Sequence, residues 1–340
     1  MRAIRQHEFG GPEELRLDNV PDPHPAEGQV RIRVESAGVQ LIDAVMRRGQ
    51  AGGPYKMTEP PTIPGREVAG VVDEAGRGVE ERLLGRRVVA DLGMDGGGYA
   101  ELALAWAESL HVLPEGLDAD QAVAMVGTGR TAMAILEVAA PTADDVAIVT
   151  AAAGGIGTLL IQALRAVDAT VIGAAGGGQK VSLVRELGAS AAVDYSQPGW
   201  PQAVRAALGG LPVTLALDGV GGDIGRTVLE LLHPGGHLVM FGVASGAPTE
   251  LSAGDLLGRG ITASGAIGAR ILRRPGGLRP LERRALEAAA EGRLTPVIGQ
   301  RFALAEAAAA HEAIESRATT GKTVLHPEPT TTSERDAPSW

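Results

Sequence analysis

The chain contains no cysteine. Its absence excludes disulfides, iron–sulfur clusters and every zinc site built on a thiolate ligand. Long apolar runs are missing too: the longest are broken by glycine or charge well short of the ~18 residues a membrane span requires. The opening Met1-Arg2-Ala3-Ile4-Arg5-Gln6-His7-Glu8 lacks the apolar stretch of a signal peptide. No basic cluster stands out, and Lys+Arg 31 against Asp+Glu 41 gives a net charge of -10. A nucleic-acid partner needs a Lys/Arg stripe for its phosphates, so none is expected. No membrane partner is expected either, and the chain reads as soluble and cytoplasmic. Lysine is scarce, with 3 against 28 arginines. We read that skew as genomic base composition, which makes the placement of each lysine more informative than the number.

The seven histidines show no metal spacing, and no G-x-S-x-G surrounds a nucleophile, so hydrolysis has no support. A hydrophobic content of 44% with 21% charge is ordinary for a globular protein. At 340 residues, two domains are expected. Glycine is the excess: 48 residues, about twice average usage.

The first 120 residues read as short strands and turns. Val30-Arg31-Ile32-Arg33-Val34 alternates apolar and charged, as a half-buried strand does. Residues 68–72 and 88–90 are short apolar runs bounded by Gly, Pro and charge, which fits a compact β-rich domain. From about residue 122 the period changes. Apolar strands are expected at 146–149, 170–174, 191–194, 215–218 and 237–241, with helices at 156–167, 179–187, 202–208 and 223–232 between them. That alternation predicts parallel βαβ units in a doubly wound α/β domain. A strand at 261–264, helices at 280–291 and 304–317, and a final strand at 323–325 follow. The polar, Pro/Thr/Ser-rich residues 328–340 lack periodicity and read as a disordered tail.

The sharpest motif is Val146-Ala147-Ile148-Val149-Thr150-Ala151-Ala152-Ala153-Gly154-Gly155-Ile156-Gly157. A strand ends, small residues turn, and a helix begins. Such a turn lets a pyrophosphate approach the helix N-terminus, where free N–H groups and the helix dipole favour anions. Gly154 and Gly155 suit the close approach, and Gly157 suits tight helix–strand packing. The first glycine of G-x-G-x-x-G is Ala151 here, and a plain tight βα turn is the alternative reading. An NAD site wants an acid ~20 residues on, to hold the ribose 2′-hydroxyl. None lies between Val171 and Lys180; Gly176 to Gly178 offer backbone donors and Lys180 a positive charge. NADPH is therefore the expected cofactor.

These motifs, with others in the same order along the chain, resemble the zinc-independent quinone oxidoreductase (zeta-crystallin-like) family of the medium-chain dehydrogenase/reductase superfamily. The other matches are Gly38-Val39-Gln40-Leu41-Ile42-Asp43 with Arg47-Arg48-Gly49, Ile63-Pro64-Gly65-Arg66-Glu67-Val68-Ala69-Gly70, Gly97-Gly98-Tyr99-Ala100-Glu101, Leu187-Gly188-Ala189, Asp218-Gly219-Val220-Gly221-Gly222, Phe241-Gly242, and Arg317-Ala318-Thr319-Thr320-Gly321-Lys322 after His311. The resemblance implies a GroES-like β-rich catalytic domain over 1–122 and 264–327 and a Rossmann doubly wound parallel-sheet domain over 123–263. It places Tyr55 beside the nicotinamide, and Gly154, Gly155, Ile156 and Gly157 at the pyrophosphate. Gly176, Lys180 and Tyr195 fall at the 2′-phosphate. Phe241, Gly242, Val243, Ser245, Ala266 and Ile267 fall around the nicotinamide half. Gln40 stands where zinc-dependent relatives carry a Cys ligand, and Arg66 where they carry His, so no metal is expected. Gln40 also replaces an Asn, Val45 replaces the Tyr of some relatives, and residues 49–62 are unusual. Substrate specificity therefore does not transfer.

The expected reaction is hydride transfer from NADPH to a small-molecule quinone or α,β-unsaturated carbonyl. Negative charge then develops on a carbonyl oxygen, which hydrogen-bond donors stabilise. Gln40 and Tyr55 are the best-placed donors, and Thr128 lies at the expected domain junction. Structural packing is the alternative for Gln40 and Tyr55, and a salt bridge for Arg130. A second function stays open: an NADP(H)-binding protein of this fold with little catalysis. The unblunted strand at 261–264, at the sheet edge, predicts a homodimer through edge pairing, with cover by residues 268–278 as the alternative.

Overall fold

The computed structural model describes residues 1–50 and 58–327; Tyr55 and the expected tail at 328–340 lie outside the described residues. The chain divides into two compact units, Met1–Leu113 with Gln300–Ala318 and Thr323–Trp340, and Pro114–Gly299 with Thr319–Lys322.

In the first unit, β1 (Arg2–Gln6) and β2 (Leu15–Asn19) form an antiparallel pair. A larger sheet is built on β3 (Gln29–Val39), β4 (Glu67–Ala75), β5 (Arg87–Asp91), β6 (Leu102–Trp106) and β7 (Leu110–Val112). The alternation read at 30–34 is realised: Val30, Ile32 and Val34 are buried while Arg33 is exposed. These side chains join Ile4, Val68, Val72 and Val88 in one core. Burying each such side chain stabilises the unit by roughly 1.5–3 kcal/mol.

The second unit holds β8 (Val146–Val149), β9 (Thr170–Ala175), β10 (Ala191–Asp194), β11 (Val213–Asp218), β12 (Leu232–Met240) and β13 (Thr262–Gly265), all paired in parallel. Their order is β10-β9-β8-β11-β12-β13, the doubly wound arrangement, whose direction reverses between β8 and β11. The remaining strands, β14 (Ile298–Ala303) and β15 (Lys322–His326), extend the first unit's sheet in the order β14-β15-β3-β4-β5-β7, with β6 on β3.

The units divide at residues other than the expected 122 and 264. Helix Arg279–Ala290 stays with the second unit because it packs on the helical stretch near residue 129. A Cβ added at Gly129 would stand 3.1 Å from Ala285 Cβ, and Arg130 pairs with Glu282 at 3.0 Å. That stretch, Ala119–Ala139, also corrects the expectation that nothing here has the length of a membrane span. By length and composition it qualifies, and 67% of the relevant window is buried inside the fold. It runs as Ala119–Ala124, a π-turn at Met125–Gly129 and Arg130–Ala139. The charge of Arg130, which interrupts the run in sequence, is taken up by Glu282.

Candidate active site

The second unit presents its glycine turn at the carboxyl ends of β8 and β11, where open parallel sheets hold ligands. Ala151 takes a left-handed φ of 48° to make the turn, and Gly154 N-caps helix Gly155–Ala166. A Cβ at Gly157 would lie 2.4 Å from the carbonyl oxygen of Ala151, so only glycine permits this crossing of helix and turn. A Cβ at Gly155 would lie 3.0 Å from Thr128 Cγ2 and 3.4 Å from the carbonyl of Gly321. Thr128, from the π-turn, therefore borders the glycine turn, as does the segment around Gly321, whose N–H donates to Ala153 O at 2.8 Å. The motif Arg317-Ala318-Thr319-Thr320-Gly321-Lys322 thus meets the glycine turn at Gly321, a contact its sequence position does not reveal.

The two strands that flank the reversal are tied together. Thr150 Oγ1 donates to Asp218 Oδ1 at 2.7 Å and Thr249 Oγ1 to Asp218 Oδ2 at 2.6 Å. The N–H groups of Val220 and Gly221 also point at this fully buried carboxylate. Asp218 thus fixes three loops at once. Phe241 and Gly242 follow β12 so closely that a Cβ at Gly219 would meet the Phe241 ring at 2.5 Å, and one at Gly242 would meet Gly219 O at 2.4 Å. Ser245 N–H donates to Val220 O, and Ala266 N–H to Met240 O. Val243 is 56% and Ile267 37% exposed, while Ala266 is buried. The structure thus sets the 241–245 and 266–267 segments beside each other at the ends of β12 and β13.

After β9, Gly176 lies against the Tyr195 ring, 3.1 Å from where a Cβ would stand. Lys180 is half-buried on helix Gly178–Glu186. An acid does serve this region, from a strand further on. Asp194 Oδ1 accepts from the N–H of Gly177 at 2.9 Å and from the N–H and hydroxyl of Ser196. The Gly177 N–H, followed by the Ser196 hydroxyl, holds the Asp194 carboxyl down at about 2. Asp194 lies beyond Lys180 in sequence and reaches this loop only because β10 pairs with β9, which sets Asp194 against Ala175.

The first unit gathers a polar cluster around Gln40, the N-cap of helix Leu41–Arg47. Gln40 Nε2 donates to Glu67 Oε1, and Gln40 Oε1 accepts from Arg66 Nη2 at 3.0 Å. Arg66 Nε donates to Asp43 Oδ1 at 3.2 Å; Asp43 Oδ2 accepts from Gln40 N–H at 2.8 Å and from the Tyr99 hydroxyl at 3.3 Å. Burial works against the charge of Arg66, but Asp43, Glu67 and Asp91 outweigh it and raise its pKa. Behind Tyr99 lies fully buried His311. Arg47 Nη1 can only donate, so Nδ1 of His311, 3.2 Å away, accepts and the imidazole proton sits on Nε2, toward Tyr99. Burial pulls the His311 pKa down to about 4, the Arg47 cation adding to the effect of desolvation against the carboxylates. Arg47 itself bonds Glu315 at 2.8 and 3.0 Å. The residues of this cluster come from five separate stretches of chain, so only Gln40 and Arg66 were singled out from sequence as site positions.

The glycine turn, the Asp194-braced loop and the 241–245 and 266–267 segments fit a dinucleotide: backbone approach is open where a Cβ is excluded, and N–H groups head a helix. Among the described residues no group of three His, Asp or Glu side chains could hold a metal ion.

Residues 26–115 match the alcohol dehydrogenase GroES-like domain and residues 155–282 the zinc-binding dehydrogenase domain. A quinone oxidoreductase of Pseudomonas aeruginosa is 33% identical, over 96% of this chain and 99% of its own length. A 2-haloacrylate reductase of a Burkholderia species is 31% identical, over 95% and 98% respectively. The crystal structure of the Escherichia coli quinone oxidoreductase complexed with NADPH superposes with a TM-score of 0.84 at 28% identity, over 96% of this chain and all of that one.

Proposed function

This chain belongs to the quinone oxidoreductase family of the medium-chain dehydrogenase/reductase superfamily, and on that premise we propose that it is an NADPH-dependent, zinc-independent oxidoreductase acting on a quinone or an α,β-unsaturated carbonyl. The observation that carries the reading is the near-full-length match to quinone oxidoreductases, one of them with NADPH bound. The 2-haloacrylate reductase relative supports the activated C=C alternative.

Gly154, Gly155, Ile156 and Gly157 would hold the pyrophosphate through helix N-terminal N–H groups. Gly176, Lys180 and Tyr195 would take the 2′-phosphate, with Asp194 holding the loop through Gly177. The exposed apolar faces of Val243 and Ile267 suit one side of a nicotinamide ring. When bound, NADPH supplies the hydride and the protein supplies orientation and electrostatics. Gln40 offers an amide donor toward the substrate oxygen, while Thr128 lines the glycine turn. Arg66 and Gln40, bonded to each other and to carboxylates, support the absence of a zinc ion.

The test is NADPH oxidation followed with 9,10-phenanthrenequinone, 1,4-benzoquinone and a set of enones. Turnover with at least one class is expected; tight NADPH binding with no turnover on any would leave only a binding role.

A further inference from the structure

We infer that the Arg66 guanidinium, braced by Gln40 and Asp43, is an oxyanion-binding site that takes the substrate oxygen on which negative charge gathers during reduction. The inference rests on the proposed function and deepens it by naming the group that receives the charge.

Arg66 is held from two sides. Its Nε is committed to Asp43 and its Nη2 to Gln40 Oε1, while Gln40 spends one Nε2–H on Glu67. Nη1 of Arg66 enters none of these bonds. Among the described residues Nη1 is therefore left for a ligand, on a guanidinium already fixed by Asp43 and Gln40. The side chain of Arg66 is 14% exposed and lines a pocket with Phe9, Met46, Ile63, Pro64 and Met94. Gln6, Asp43, Arg47 and Asp95 share that wall, and partial exclusion of water strengthens a directed N–H bond relative to bulk solvent. The fork is oriented before any ligand arrives, so stabilising a developing charge needs no reorganisation.

Other charges narrow the ligand class. Asp43, Glu67 and Asp91 all act on this guanidinium, and Asp95 stands at the pocket rim. Those carboxylates oppose a multiply charged anion. A single oxygen carrying one negative charge, attached to a flat carbon skeleton, satisfies both the donor and the apolar part of the wall. Phenolates and enolates have that form. As hydride adds to the alkene carbon β to a carbonyl, the π-electron pair moves onto the carbonyl oxygen as an enolate; hydride delivered to one oxygen of a quinone leaves the opposite oxygen as a phenolate. That oxyanion is held by Nη1–H, then takes a proton from water to give the neutral hydroquinone or enol, which passes to the ketone. Arg66 stays protonated throughout.

The experiment uses the full-length protein without cofactor and 4-nitrophenol, whose phenolate is read by its own absorbance. Wild type should lower the apparent pKa of the bound probe by about one unit, a tenfold preference for the phenolate. Arg66→Met should abolish the shift and Arg66→Lys retain part of it. Because Arg66→Met strands the Asp43 carboxylate, Arg66→Met/Asp43→Asn is measured beside it, with folding checked by circular dichroism. In quinone turnover, the folded Arg66 variant should lose about 10²-fold in kcat with KM nearly constant, as when one oxyanion donor is removed. Equal probe ionisation in wild type and the folded Arg66 variants overturns the site, even if quinones are reduced. A probe shift that depends on Arg66, in a protein that reduces no quinone or enone, keeps the site and rejects the oxidoreductase reading.

Discussion

Tyr99 meets His311 edge-on, ring centroids 5.8 Å apart and planes at 89°, and the Tyr99 hydroxyl bridges the His311 imidazole to the Asp43 carboxylate. The arrangement requires His311 to be neutral: Arg47 occupies its Nδ1 as a donor, and a second ring proton there would face a guanidinium. Through Tyr99 and Asp43 the imidazole supports the orientation of Gln40 and Arg66. Deep burial and a fixed tautomer make it a positioning residue.

Acid should therefore weaken the fold through His311. Its pKa falls from 6.5 to about 4 on folding, so between those values the unfolded chain binds the extra proton. Stability from this group is complete above pH 6.5 and is lost as pH falls toward 4, by about 3 kcal/mol in all. Chemical denaturation of wild type and His311→Gln across that range checks it. The stability difference between them should shrink with acidification; a constant difference would contradict the assignment.

Gly157→Ala should be severe. The new Cβ would stand 2.4 Å from Ala151 O and 2.7 Å from Ala152 Cα, both backbone atoms that cannot swing aside. A loss of about 1–3 kcal/mol is expected from the forced shift, with NADPH affinity falling in parallel because the helix N-terminus moves. Gly258→Ala meets no atom within 4 Å, lies away from the proposed cofactor segments and serves as the control. Thermal melts and calorimetric titration of both variants decide.

Lys180→Ala should raise the Kd for NADPH by roughly tenfold or more, the worth of one charge-assisted hydrogen bond, and leave NADH binding nearly unchanged. An equal loss for both cofactors would place Lys180 away from the 2′-phosphate.

Zinc should be substoichiometric in purified protein, and a chelator should leave quinone reduction intact. Elemental analysis with activity before and after chelation tests this. Activity lost to the chelator and restored by zinc would refute the reading of Gln40 and Arg66.

A homodimer is expected through β13. It pairs with β12 on one side, no described strand pairs with its other edge, and its residues are half-exposed or exposed. Light scattering should give twice the chain mass for wild type, and Thr262→Pro, which puts a ring against the edge, should shift it toward one chain mass. A monomeric wild type would reject edge pairing.

Residues 146–149, 171–174 and 215–217 are runs without a polar side chain, and such runs can hide both faces only inside a helix-covered parallel sheet. Their strands were legible for that reason, as was the glycine turn between β8 and its helix. β12 was expected at 237–241 but begins at Leu232, which pairs with Val213; Pro234-Gly235-Gly236, with Gly235 at φ 84°, then bulges out before His237 pairs with Leu215. The first unit's short strands were harder: β6 and β7 carry ordinary residues whose edges are set by partners 20 to 80 positions away.

By itself, then, the sequence determined the local elements, the dinucleotide turn, and that positions 40 and 66 carry no metal ligand, because each follows from neighbouring residues or from the side chain present. Only the tertiary structure decided what those two residues bond to. Gln40, Asp43, Arg66, Glu67, Tyr99 and His311 meet because β3, β4, the turn before β6 and helix Ala307–Glu315 converge. The same holds for Asp194 and Gly177, joined when β10 pairs with β9. Hydrogen-bond direction and pKa depend on such through-space neighbours, and sequence separation carries no information about them.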